Sequence, residues 1–119
     1  MKESNSLIGS IVEGIQDKKG RDITVVDLSK IDEAACRQFV ICTGNSPQQV
    51  QAIAHSIGDV TREKANGRPL AVSGLQNAVW VAMDFSEAIV HIFLPEERDF
   101  YDLEHLWADA PLKHIPNID

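Results

Sequence analysis

The chain has 119 residues, with 18 Asp and Glu against 11 Lys and Arg, so its formal net charge is -7. That length makes one ordinary domain, and 44% hydrophobic with 24% charged residues is the balance of a globular chain, not a disordered one. The acidic balance speaks against wrapping a nucleic-acid backbone, no apolar run approaches bilayer length, and MKESNSLIGS lacks the features of a secretion signal, so a cytoplasmic protein is expected.

Ile8, Ile11, Val12 and Ile15 recur at helical spacing and predict an amphipathic first helix, which Lys18-Lys19-Gly20 ends. Ile23 to Leu28 is a β-branched run that predicts a buried strand, and Phe39 to Cys42 predicts a second, closed by Thr43-Gly44-Asn45. Ser46 then stands as N-cap, Pro47 at the first helical position and Gln49 as the third residue of a capping box. Val50, Ile53, Ala54, Ile57 and Val60 continue as one helical stripe, which Asn66-Gly67 terminates. Leu70 to Val72 is a weak strand, and the strand–helix–strand stretch from Phe39 to Val72 suits a parallel crossover.

Val79, Val81 and Met83 alternate with Trp80, Ala82 and Asp84, and Ala88 to Leu94 follows a turn, which predicts a hairpin. With Phe85 and Ser86 as loop residues, Trp80 faces His91, Ala82 faces Ile89 and Asp84 faces Glu87. One face is then wholly aliphatic and the other mixed. Two acids directly opposed are unfavourable, so either the register differs or a basic group lies nearby. Pro95 opens a last helix with Phe100, Leu103, Leu106 and Trp107 on its apolar side, and Pro111 stops it. Residues 1–110 are expected to form a single domain, with 111–119 an extended or mobile tail. The fold class is α/β or α+β, with a mixed sheet packed by helices.

Three segments carry a family resemblance: FVICTGNSPQQVQAIA (Phe39 to Ala54), AVWVAMDFSEAIVHIF (Ala78 to Phe93) and ERDFYDLEHLWADA (Glu97 to Ala110). Their order resembles the ribosomal silencing factor family, also called Iojap-like or RsfS. The chain departs from that pattern at Ser73-Gly74, where many members have Glu-Gly, and at Phe85-Ser86, where many have Tyr-Gly. The resemblance implies a nucleotidyltransferase-like core without catalysis, and often a homodimer. It implies binding to the large ribosomal subunit through its protein L-fourteen, which blocks subunit joining and represses translation, or a part in large-subunit assembly.

On that basis Trp80, Asp84, His91, Arg98 and Tyr101 are the candidate partner-binding residues. Each has a structural alternative: a tryptophan under a helix, a turn carboxylate, a hydrogen-bonded core imidazole, a local ion pair of Arg98 with Asp102 or Glu97, and a partly buried ring for Tyr101. Glu96 to Asp109 holds six acids and one Arg, so five of the seven excess negative charges sit in one segment. A basic protein is therefore a better expected partner than RNA. No cofactor, metal or membrane contact is expected: His55, His91, His105 and His114 lack ligand spacing, and Cys36 and Cys42 read as reduced thiols. The alternative is a metal-dependent nucleotidyltransferase or nucleotide-binding protein. It would use the Gly44-Asn45-Ser46 turn, but no closely spaced acidic pair follows that turn.

Overall fold

The computed structural model describes residues 2–31, 34, 36–107 and 109–118. Helix α1 (Lys2–Asp17) leads into strands β1 (Arg21–Asp27) and β2 (Gln38–Thr43), followed by α2 (Pro47–Lys64). Strands β3 (Ala71–Ser73), β4 (Trp80–Asp84) and β5 (Ala88–Phe93) come next, then α3 (Pro95–Tyr101), α4 (Leu103–Leu106) and β6 (Leu112–Ile115). The strands form one sheet in the order β3-β4-β5-β2-β1-β6. Its neighbours are antiparallel except β2 and β5, which run parallel at the centre. This is a single α+β domain with a mixed sheet, as the element pattern implies. The connection through α2 does cross over, and β3 runs parallel to β2. The two are not adjacent, because the β4–β5 hairpin is inserted between them.

Local chemistry accounts for α2. Ser46 Oγ accepts from the Gln49 N–H at 3.1 Å, and the predicted apolar stripe is entirely buried. Gln49 Oε1 reaches back to the Asn45 N–H at 2.6 Å, while its Nε2 donates to the carbonyls of Lys18 and Lys19. One side chain thus joins the start of α2 to the end of α1. The helices cross closely at Gly14, where a Cβ would stand 2.8 Å from the Ile57 Cα. Together they cover one sheet face, with Val25, Val40, Val81, Val90 and Ile92 beneath them.

The hairpin register differs from the expected one. Trp80 pairs with Phe93, Ala82 with His91 and Asp84 with Ile89. A shift of two residues keeps every side chain on its predicted face. It also removes the opposed acids, since Glu87 moves into the turn. The cause is Phe85, which is buried in the core and extends the ladder rather than the loop: its N–H donates to the Ala88 carbonyl at 2.8 Å. Ser86 takes the positive φ of 74° that a turn glycine would hold, and its N–H donates to Asp84 Oδ1.

Two further expectations are corrected. The last helix is not continuous: Asp102 adopts φ 50°, ψ 51° and divides it into α3 and α4. Phe100 and Leu106 consequently do not share a buried face with Leu103 and Trp107 but are 79% and 69% exposed. Of the expected tail 111–119, residue 119 lies outside the described residues, and Leu112–Ile115 is a sheet strand and not a loose tail. Its anchors are His114 Nδ1 at 3.1 Å from Thr24 Oγ1, and Asn117 Oδ1 accepting from the Asp22 N–H at 2.8 Å.

Candidate partner-binding face

The second sheet face carries Thr24, Val26, Phe39, Ile41, Trp80, Ile89, His91 and Phe93, as the pairing and alternation require. The short α3 and α4 cover it only in part, leaving Trp80 half-buried. Gly74 sets the entry to β4: its φ is +89°, and a Cβ there would lie 2.1 Å from the Trp80 carbonyl oxygen. Only glycine fits that approach.

Trp80 is the hub of an aromatic ledge. Its ring stacks on Phe93 with centroids 5.0 Å apart and meets Tyr101 at 4.5 Å. Phe100 stands edge-on to Tyr101 at 5.0 Å. The indole N–H donates to His91 Nδ1 at 3.0 Å, so the expected Trp80–His91 contact exists, though diagonally across the ladder. Accepting at Nδ1 fixes neutral His91 with its proton on Nε2. That nitrogen is buried without a hydrogen-bond partner, and the ring stands edge to face with Phe39 at 4.8 Å. Burial pushes the imidazole pKa down to about 4. His91 is therefore a neutral structural group that aims Trp80.

Arg98 also faces inward. Its Nη1 donates to the Asp22 carbonyl and to Thr43 Oγ1 at 2.9 Å, while Nη2 donates to Thr24 Oγ1 and pairs with Glu104 at 2.6 Å. The Asp22 carbonyl is free for this because β1 bulges between Arg21 and Thr24, with Asp22 at φ 54°. The ion pair thus forms with Glu104, not with Asp102 or Glu97, and it ties α3 and α4 to β1 and β2. Asp102 instead contacts His105 Nδ1 at 2.6 Å.

The structure thus brings Trp80, His91 and Tyr101 together, with Arg98 holding the helix that carries Tyr101. Asp84 lies at the far end of β4, roughly 13 Å along the strand from Trp80, where it serves the hairpin turn. Sequence reasoning missed Phe100 and Leu106 as surface groups, because the helix break that exposes them leaves no periodic signal. It also missed Phe39, whose place beside His91 follows only from the β2–β5 register. Glu96, Glu97 and Asp99 line an open hollow of about 670 Å³ with Phe100 and Tyr101, and none of the three acids has an ion pair among the described residues.

The described residues hold no group of three or more His, Cys, Asp or Glu placed to bind a metal ion. Cys36 and Cys42 are free and buried, and burial pushes the Cys42 thiol up to about 12. No described helix is long and apolar enough to cross a membrane.

These features define a small α+β domain with helices over one sheet face and an aromatic, acid-rimmed ledge on the other. The family described as "Ribosomal silencing factor during starvation" matches residues 1–119, and the chain belongs to that family. It is 41% identical over 111 residues to the ribosomal silencing factor RsfS of Bacillus subtilis, covering 92% of each chain. A crystal structure of a protein from Chromobacterium violaceum is similar with a TM-score of 0.81 at 33% identity, over 86% of this chain and 83% of that one. A mouse relative named "Mitochondrial assembly of ribosomal large subunit protein 1" is 28% identical over 103 residues, covering 85% of this chain and 45% of that protein.

Proposed function

We propose that the ledge of Trp80, Tyr101 and Phe100, with Leu106 and the free acids of α3, docks on a basic protein of the large ribosomal subunit, L-fourteen. The bound domain then blocks small-subunit joining by its bulk and so represses translation. The observation that supports this most is the exposure of Phe100, Leu106 and Tyr101 (79%, 69% and 45%) in one acidic segment. Exposed aromatic and aliphatic anchors beside a charged rim are the usual makings of a protein interface. His91 and Arg98 serve as positioning residues, and Asp84 joins the contact if the footprint extends along the hairpin. The mechanism requires affinity and volume only, so no catalytic group is assigned. The compartment is that of the ribosomes, the cytoplasm. The mouse relative's name supports assembly of the large subunit as a second setting for the same contact.

Co-sedimentation with large subunits across a salt series tests the proposal. Wild type should pellet at low salt and release progressively as ionic strength rises. Phe100→Ala should bind about tenfold more weakly or worse with unchanged stability, and Trp80→Ala should lose binding. Arg98→Glu should lose binding together with stability, because its donors are internal. Wild type remaining in the supernatant at low salt would sink the proposal. A homodimer, which the family resemblance implies, fits this surface only if pairing leaves Trp80 and Phe100 uncovered.

A further inference from the structure

A second surface lies on the opposite face of the sheet, away from the aromatic ledge. α2 covers β4 and β5 but stops short of β3, which ends the sheet. Between α2 and β3 runs a groove of about 450 Å³. Its floor is apolar, formed by Val72, Leu75 and Met83. Its helix wall is bare at Gly58, where a Cβ would meet nothing within 4 Å. Arg62, Arg68 and Asp59 rim it. Arg62 pairs with Asp59 at 3.0 Å, but both side chains are more than half exposed. Arg68 is exposed and has no ion pair among the described residues.

Two properties of this place select its occupant. β3 is exposed at all three positions, and Leu70 just before it is 75% exposed. As the sheet's terminal strand, β3 offers backbone donors and acceptors to another strand. With two arginines to one aspartate the rim is net cationic, through Arg68 above all, in a chain whose net charge is -7. A second copy paired through the same edge would present its own segment Arg68–Asn77, which contains no acid to meet these arginines, so charge disfavours it. We propose that this edge and groove bind an extended segment of a partner protein with alternating apolar and acidic side chains. The segment adds to the sheet beside β3, its apolar groups filling the groove and its carboxylates meeting Arg62 and Arg68. The site is separate from the ledge, so the domain would hold two partners at once.

The test is an amide-resolved NMR titration of the whole chain. The probe is a short capped peptide of alternating valine and glutamate, with a valine–lysine peptide as control. Saturable shifts are expected at Ala71–Ser73 and along the groove, while Trp80 and Tyr101 stay unmoved. Arg68→Glu should weaken binding about tenfold. Gly58→Trp should abolish it by filling the groove, and Gly58→Ala should bind within about twofold of wild type. If Gly58→Trp fails to fold, the Arg68→Glu comparison decides. The proposal is overturned by any of four results: no saturable shift, equal binding of the lysine peptide, groove shifts that depend on protein concentration without peptide, or sodium decanoate occupying the groove where the peptide does not. The third result would point to a second copy, and the fourth to a small amphipathic anion. Large-subunit binding by Arg68→Glu should stay as in wild type, which keeps this test independent of the ledge.

Discussion

His91 shows how one side chain fixes another's chemistry. The imidazole accepts from Trp80 and has no acceptor for its own Nε2 proton. A second proton would gain no partner and would place a charge in the core, which is why burial holds the pKa near 4. An unfolded histidine titrates near 6.5, so between those values the unfolded chain binds the extra proton. The contribution of His91 to stability is then complete above about pH 6.5 and lost as the pH falls toward 4, amounting to about 3 kcal/mol. Urea unfolding at pH 7 and pH 4.5 should show this loss in wild type. His91→Gln keeps an acceptor for the indole and does not titrate, so its loss over the same interval should be smaller. Equal losses in the two proteins would remove His91 as the cause.

The elements differ in how far local sequence determines them. α2 was legible because its cap, first-turn proline and apolar stripe all act within the helix. The two faces of the hairpin were legible too, since alternation is a local property. Its register was not, because Phe85 reads as a turn residue until the core that buries it is present. The Trp80–His91 pair was found from a wrong register, and survives because a two-residue slip turns a direct neighbour into a diagonal one. Arg98 was recognised as important but aimed outward, since its partners Thr24, Thr43 and the Asp22 carbonyl are 55 or more residues away in sequence. The break at Asp102 is the most consequential miss. A left-handed residue costs an ordinary side chain about 1 kcal/mol, and Asp and Asn bear it best. Asp102→Ala should therefore lower stability by about 1 kcal/mol. Asp102→Asn should stay within a few tenths of wild type in the same thermal melts. If alanine is as well tolerated as asparagine, the break does not depend on this residue.

At the scale of the whole molecule, the acidity is concentrated in one segment and part of it is spoken for internally. Glu104 is held by Arg98 and Asp102 by His105, so the charge open to a partner is that of Glu96, Asp99 and Asp109, with Glu97 half-buried beside them. The sheet that carries this segment is closed on its β1 side by β6. Removing residues 111–119 should therefore destabilise the domain by at least about 2 kcal/mol, through lost ladder bonds and an uncovered Val26 and Ile23. It should also promote association through the bare β1 edge, read by denaturant titration and light scattering. A truncated chain as stable as wild type would show that β6 is not needed. The same strand has a consequence for how the protein is made. Thr24 and His114 lie 90 residues apart in the chain. At a synthesis rate of about 5–20 residues per second, β1 waits roughly ten seconds for the strand that shields it. For that interval each nascent chain carries an unguarded edge while still tethered to a ribosome.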